Sequence, residues 1–242
     1  MRIFDSPEII TYFYHFLYHS GIEKKFQINI ERKSLNLIQE TKIKPPLWAR
    51  MKNFKCPHCT LDEKTTHCPL AVALSNIIDT HKESCSFEKI YATIKVEERT
   101  YSKHTALQDA LSSLIGIYMV TSGCPHTAKL KPMVRFHLPF ATLYDTEYRV
   151  TSMYLLAQYF IYKKGENPDC GLKNLALIYD NIRKVNINVS KRLKELKIKD
   201  ASINAVAILN CFANSMTFSI ESDVFHEMEQ LFSVYYYDTE NK

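Results

Sequence analysis

The hydrophobic pattern changes period part-way along the chain, and that change limits the possible folds more than any other feature. Near the start, Tyr12, Tyr14, Phe16 and Tyr18 alternate with Phe13, His15, Leu17 and His19. Ser20-Gly21 follows as a turn, and Phe26, Ile28 and Ile30 then alternate with Gln27, Asn29 and Glu31. A period of two broken by a glycine predicts a β-hairpin. Ile90, Ala92, Ile94 and Val96 repeat the pattern and predict a third strand. Between them a helix is expected over 69–81, with Pro69 at its first position.

Beyond residue 102 the spacing becomes helical. Thr105-Ala106-Leu107-Gln108 fits a capping box ahead of Leu107, Leu111, Leu114 and Tyr118. Ser122-Gly123, with Pro125 beyond, marks the stop. Further helices are expected over 145–162, through Leu172, Leu175, Tyr179, Ile182 and Val189, from Asp200 to Met216, and around Phe225, Met228, Phe232 and Tyr235. The helix over 145–162 is apolar on more than one face, which reads as a central position in a bundle; cover by a partner subunit is the alternative. The fold class is α+β. Residues 1–102 form a small antiparallel sheet with one helix and a Cys-rich zinc loop. Residues 103–242 form a helical bundle packed with it as one body.

Composition excludes several functions. The chain has 242 residues, 46% hydrophobic and 24% charged, as in an ordinary globular protein. Its 5 glycines provide neither a dinucleotide fingerprint nor a P-loop. Zincin and nucleophile-elbow motifs are absent from the sequence too. No apolar run approaches the ~20 residues of a membrane span, and the N-terminus lacks the features of a signal peptide. The expectation is a cytoplasmic protein without a membrane partner. Its 7 cysteines would then be reduced thiols or metal ligands.

The strongest chemical signal is Cys56-Pro57-His58-Cys59, followed by Cys68-Pro69. Two thiolates spaced C-x-x-C can wrap one tetrahedral zinc from a tight turn, and a third nearby strengthens the reading. Lys52, Lys55 and Lys64 would offset the negative charge. Geometry narrows the fourth ligand. Cys68 and Cys85 flank a helix whose length separates them by roughly 25 Å, too far to share an ion. Cys124 repeats the Cys-Pro pattern just past a helix stop, where the chain must turn. It is the expected ligand, with His126, His137, His67 and His58 as substitutes. Four thiolates would close the site and make the zinc structural, joining the two halves of the chain.

Residues 124–140 read CPHTAKLKPMVRFHLPF. Prolines at 125, 132 and 139 argue against a helix. An extended segment would set Arg135 and His137 on one side, and with His126 they could hold an anion. The alternative is that Arg135 pairs a buried carboxylate and His137 bonds a backbone carbonyl. Two stretches, 31–55 and 183–199, are basic and could attract nucleic acid. Solvated faces, with an acidic C-terminal tail partly neutralising a basic helix end, are the simpler account.

The chain resembles an uncharacterised bacterial family of cytosolic proteins, one of the domain-of-unknown-function families. The resemblance rests on CPHC followed by HCPLA, on EERTYSKHTALQDALSSLIG, on SGCPHTAKLKPMVRFHLPF and on MYLLAQYF. It implies one continuous protein with a cysteine site and supplies no activity. The first functional reading is therefore a non-enzymatic, zinc-stabilised module that binds a protein partner or forms a homo-oligomer, with no catalytic residue assigned. A metal-dependent or anion-binding enzyme using His126, Arg135 and His137 is the second reading, and nucleic-acid binding is the third.

Overall fold

A computed structural model describes residues 8–38, 44–222 and 225–236. Strands β1 (Ile9–Tyr18) and β2 (Glu23–Glu31) form the expected hairpin, from Ile9 opposite Glu31 to Leu17 opposite Glu23. Gly21 takes φ +81 in the turn, a conformation that glycine adopts without a side-chain clash. β1 also pairs with β3 (Lys89–Val96), and β3 with β4 (Arg99–Ala106). All pairings are antiparallel, in the order β2-β1-β3-β4. Period-two alternation puts Ile10, Tyr12, Tyr14, Phe16 and Tyr18 on the buried face, with Ile28 opposite Tyr12 and Ile94 opposite Tyr14. Phe13 and Tyr91 are exposed.

β4 is absent from the sequence reading. Its residues, RTYSKHTA, are mostly exposed, so no apolar alternation marks the strand. The turn before it, Glu97-Glu98, carries no glycine; Glu97 itself adopts φ 45. β4 also corrects the capping box. Ala106 is the N-cap of α3 (Leu107–Thr121), and the Thr105 hydroxyl donates to Asp109 Oδ2 at 2.8 Å.

Helix α2 (Pro69–Thr80), with proline in its first turn, and α3 cover the buried face of the sheet. Helices α6 (Lys173–Lys194) and α7 (Ala201–Glu221) pack together, and α7 lies against α3. One buried cluster runs from Ile10 and Leu74 through Leu114 to Val189 and Val206, drawing residues from both sides of position 102. By length and composition α7 could cross a membrane, contrary to the reading that no run is long enough; its mean hydropathy reaches 1.3 despite interspersed serines and asparagines such as Asn204 and Ser215. In this fold it packs on α3 and α6.

Two expectations for the middle of the chain are overturned. Residues 127–135 are helical, in a 3-10 turn (Thr127–Leu130) followed by helix α4 (Lys131–Arg135). Pro132 falls in the first turn of α4, where its missing N–H costs nothing. Helix α5 (Leu143–Lys163), read as central, lies at the edge. It buries Val150, Thr151, Tyr154 and Gln158, while Tyr148, Leu155, Leu156, Tyr159, Phe160 and Tyr162 remain exposed. A second, smaller cluster joins Val150 and Tyr154 to Leu175, Tyr179, Ile182, Ala213 and Met216. The chain then ends its described part in α8 (His226–Gln230) and a 3-10 turn. Glu40 and Lys42 of the first basic stretch, and Asp238 and Glu240 of the acidic tail, lie outside the described residues.

Candidate functional site: four cysteines around one small void

Three separate segments deliver the cysteines. A one-turn helix, α1 (Met51–Phe54), precedes the C-x-x-C loop, whose turn closes as Cys59 N–H donates to the Cys56 carbonyl at 3.1 Å. The returning strand is tied alongside by Met51 N–H to Thr66 O (3.0 Å) and Cys68 N–H to Ala49 O (2.8 Å). Cys68 thereby becomes the N-cap of α2. The third segment follows α3, where Gly123 takes φ +95 and ends the helix. The Ser122 hydroxyl accepts from Cys124 N–H at 3.2 Å and holds the reversed chain.

Cys56, Cys59, Cys68 and Cys124 all line one void of about 20 Å³, together with His126 and with Val185 and Val189 of α6. That is room for little more than one water-sized sphere. Cys68 and Cys124 are buried, and Cys56 and Cys59 are half-buried. Burial pushes the Cys56 thiol up to about 12, and the nearby Cys68, Cys124 and Cys59 sulfurs add to the shift. Burial also pushes Cys68 up to about 11, although the Leu70 and Ala71 amides of the α2 N-terminus act in the opposite direction. In this arrangement both thiols are neutral at pH 7. Among the described residues, no group of three His, Cys, Asp or Glu side chains already stands in an arrangement that could hold a metal ion. Cys85, Cys170 and Cys211 are not on the void.

Two histidines fasten the loop. His58 Nε2 bonds the Asn181 carbonyl of α6 at 3.0 Å, and His126 Nε2 bonds the His58 carbonyl at 2.9 Å. Their rings lie 4.3 Å apart. Asn188 Nδ2 donates to Phe54 O at 3.1 Å, so α6 grips both ends of the cysteine loop. The sequence carries no signal for this His-His clamp beyond the two residues themselves. His67 Nδ1 meets the Thr66 hydroxyl at 3.0 Å.

The anion constellation is distributed over three places. His126 faces the cysteine void. Arg135 lies on the surface, bonded to Glu97 Oε2 at 3.1 Å, and Arg32 takes the other oxygen of that carboxylate. Partial burial pushes Glu97 up, but the Arg32 and Arg135 bonds and charges outweigh it and hold the carboxyl below its ordinary value. His137 is half-buried beside a separate, larger cavity, its Nε2 within 2.7 Å of the Tyr14 hydroxyl and 3.1 Å of the Ser113 hydroxyl. Arg135 does pair with a carboxylate, but Glu97 is exposed where a buried one was expected. The His137 partners are hydroxyls, where a carbonyl was expected. The extended backbone that would align Arg135 with His137 is replaced by α4. In the basic stretches, Arg183 and Lys184 both pair with Asp180, and Arg192 pairs with Glu195.

A family model, described as a domain of unknown function, DUF6901, matches residues 10–233. The chain belongs to the DUF6901 family. The matched span begins inside β1 and ends in the last helical turn, so in this DUF6901 chain it takes in the sheet, all four cysteines and every long helix. No curated protein and no solved structure matches the chain.

Proposed function

We propose that this DUF6901 protein is a cytoplasmic interaction module without catalytic activity, stabilised by a structural zinc on Cys56, Cys59, Cys68 and Cys124. The observation that carries the reading is the atom-sized void shared by four thiols, one of them 56 residues beyond the last of the other three. A step between staggered χ1 wells moves a cysteine sulfur by about 3 Å, so side-chain rotation alone can re-aim the thiols around the void. Zn–S bonds of about 2.3 Å from four thiolates give a closed tetrahedral site with no place for substrate. The ion would then tie the C-x-x-C loop and the start of α2 to the end of α3, against α6.

The interaction surface is α5. Tyr144, Tyr148, Leu155, Tyr159 and Tyr162 are exposed and recur at helical spacing along one stripe about 27 Å long. Tyr148 stacks with Phe232, which extends the patch toward the C-terminal turns. Exposed aromatic and leucine side chains gathered on one helix face mark a contact face. The stripe is uncharged and tyrosine-rich, so it needs no charge-complementary partner and suits an isologous pairing with a second copy of the chain.

The zinc is tested by elemental analysis of untagged protein purified without added metal. The expected result is one zinc per chain, lost in Cys124→Ser. Absence of bound metal, or full occupancy in that variant, contradicts the reading. Sedimentation velocity tests the pairing. The expected result is a dimer that Leu155→Glu/Tyr159→Glu converts to monomer; a monomeric wild type contradicts self-association, and binding of a different protein through α5 replaces the second copy.

A further inference from the structure

A cavity of about 320 Å³ lies where α3, α6 and α7 meet the 130–149 segment. Its volume is at the lower bound of small-molecule sites, roughly 300 Å³. Ile117, Val120, Leu209 and Phe212 give it apolar walls. Two polar groups on these walls lack the partners that their chemistry calls for.

The first is Arg149 of α5. Its guanidinium Nη2 donates to the carbonyls of Met133 (3.2 Å) and Phe136 (2.6 Å). Those bonds hold the group in place; Asp145 acts on its charge from a distance, but no carboxylate of the described residues forms an ion pair with it. The acid one turn away, Asp145, is engaged at the helix cap by the backbone and hydroxyl of Thr142. Tyr179 of α6, itself buried, lies near enough for the Arg149 charge to act on its hydroxyl. A fixed guanidinium with spare donors matches a carboxylate.

The second is Asn186, 1% exposed, whose side-chain oxygen has no hydrogen-bond partner. A buried acceptor left unpaired is destabilising, and a donor brought by a ligand would satisfy it. Tyr179, Ile182 and Asn186 form one stripe of α6 along the cavity, with Tyr179 and Asn186 about 10 Å apart along the helix axis and Arg149 acting at the Tyr179 end. The remaining charges on the wall are engaged within the protein: Asp109 takes the Thr105 hydroxyl, and Lys103 lies over the Phe140 ring at 5.7 Å.

We propose that this cavity binds a carboxylic acid with a slender apolar body, its carboxylate on Arg149 and a hydrogen-bond donor near its far end on Asn186. The inference does not depend on zinc or on the α5 surface. No bond is made or broken; the site would make the module responsive to a small amphipathic acid.

Calorimetric titration of the full chain with decanoate, 10-hydroxydecanoate, decan-1-ol and decylamine, each below its micelle concentration, tests it. Decanoate is expected to bind one per chain, and the hydroxy acid more tightly. Decanol is expected to bind roughly tenfold or more weakly than decanoate, and decylamine not at all. No saturable binding of either acid overturns the proposal, as does decanol binding as well as decanoate. A hydroxy acid no tighter than decanoate overturns the role of Asn186. Location is tested by Gly116→Leu, which grows from α3 into the cavity at a position where an added Cβ meets only Leu209 Cδ2, at 3.6 Å. Loss of decanoate binding with an unchanged far-UV spectrum supports the site, and retained affinity overturns it. If that variant does not fold, a diazirine-bearing decanoate crosslinked to the wild type decides. Labels on 116–120 or 208–213 support the site, and labels only elsewhere overturn it.

Discussion

Replacing a thiol by a hydroxyl removes a metal ligand while leaving packing almost unchanged, so serine variants separate the cysteines on the void from those elsewhere. Because metal affinity in such a site is folding free energy, Cys59→Ser and Cys124→Ser are each expected to lower the melting temperature by roughly 10 °C or more. Cys85→Ser should shift it by only a few degrees; equal, small shifts in all three circular-dichroism melts would contradict the site. A second residue-scale effect concerns His81. It is fully buried between Phe16 and Phe26, its Nδ1 bonded to Ile77 O and its Nε2 unpartnered. Burial, helped by the Lys24 charge, holds its pKa down to about 4. His137 is held down to about 3 by burial and by the Arg149 charge. An unfolded histidine takes up its proton near 6.5, so below that pH the unfolded chain binds more protons than the folded one. Stability is therefore expected to fall as pH drops from about 6.5 toward 4. Urea titrations of His81→Leu at pH 7 and pH 4 should show a loss smaller by on the order of 3 kcal/mol than in the wild type.

Helix α5 begins with a reciprocal capping box: Asp145 N–H donates to the Thr142 hydroxyl oxygen at 3.1 Å, and Thr142 N–H to Asp145 Oδ2 at 2.9 Å. Thr142→Ala is expected to cost about 1 kcal/mol in urea unfolding. Gly116→Ala in α3 should instead add about 0.5–1 kcal/mol, since the new methyl only touches Leu209 and the backbone loses less freedom on folding. At this scale the sequence was legible wherever burial was one-sided. β1, β2, β3 and α2 show their periods because one face of each meets the core. β4 and α4 do not. The first is an edge strand of mostly polar residues, and the second is a single turn around a proline. The apolar richness of α5 records a second surface, which periodicity alone cannot distinguish from a central position. For the cysteines, spacing together with the length of α2 separated Cys85 from the others and pointed to Cys124, which lines the same void. The clamp of His58 and His126 depends on α6 supplying the Asn181 carbonyl, a contact across 123 positions that no local pattern encodes. The cavity beside Arg149 is hidden for the same reason, because its walls come from α3, α5, α6 and α7.

On the scale of the whole molecule, the buried cluster already runs from the sheet into α6 and α7, and a zinc at the four thiols would lock the cysteine loop against it. That lock would leave α5 free to carry its exposed aromatic stripe on a stable base. The Leu155→Glu/Tyr159→Glu pair should therefore abolish the dimer with little change in melting temperature in dilute solution, since both side chains are already exposed in the monomer. A large loss of stability would mean instead that α5 packs within its own chain. Zinc-edge X-ray absorption on protein purified without a polyhistidine tag reads the coordination shell directly. The account predicts four sulfur neighbours at about 2.3 Å, with one replaced by a lighter atom in Cys124→Ser. An absence of bound zinc, or a native shell containing nitrogen in place of the fourth sulfur, would contradict it.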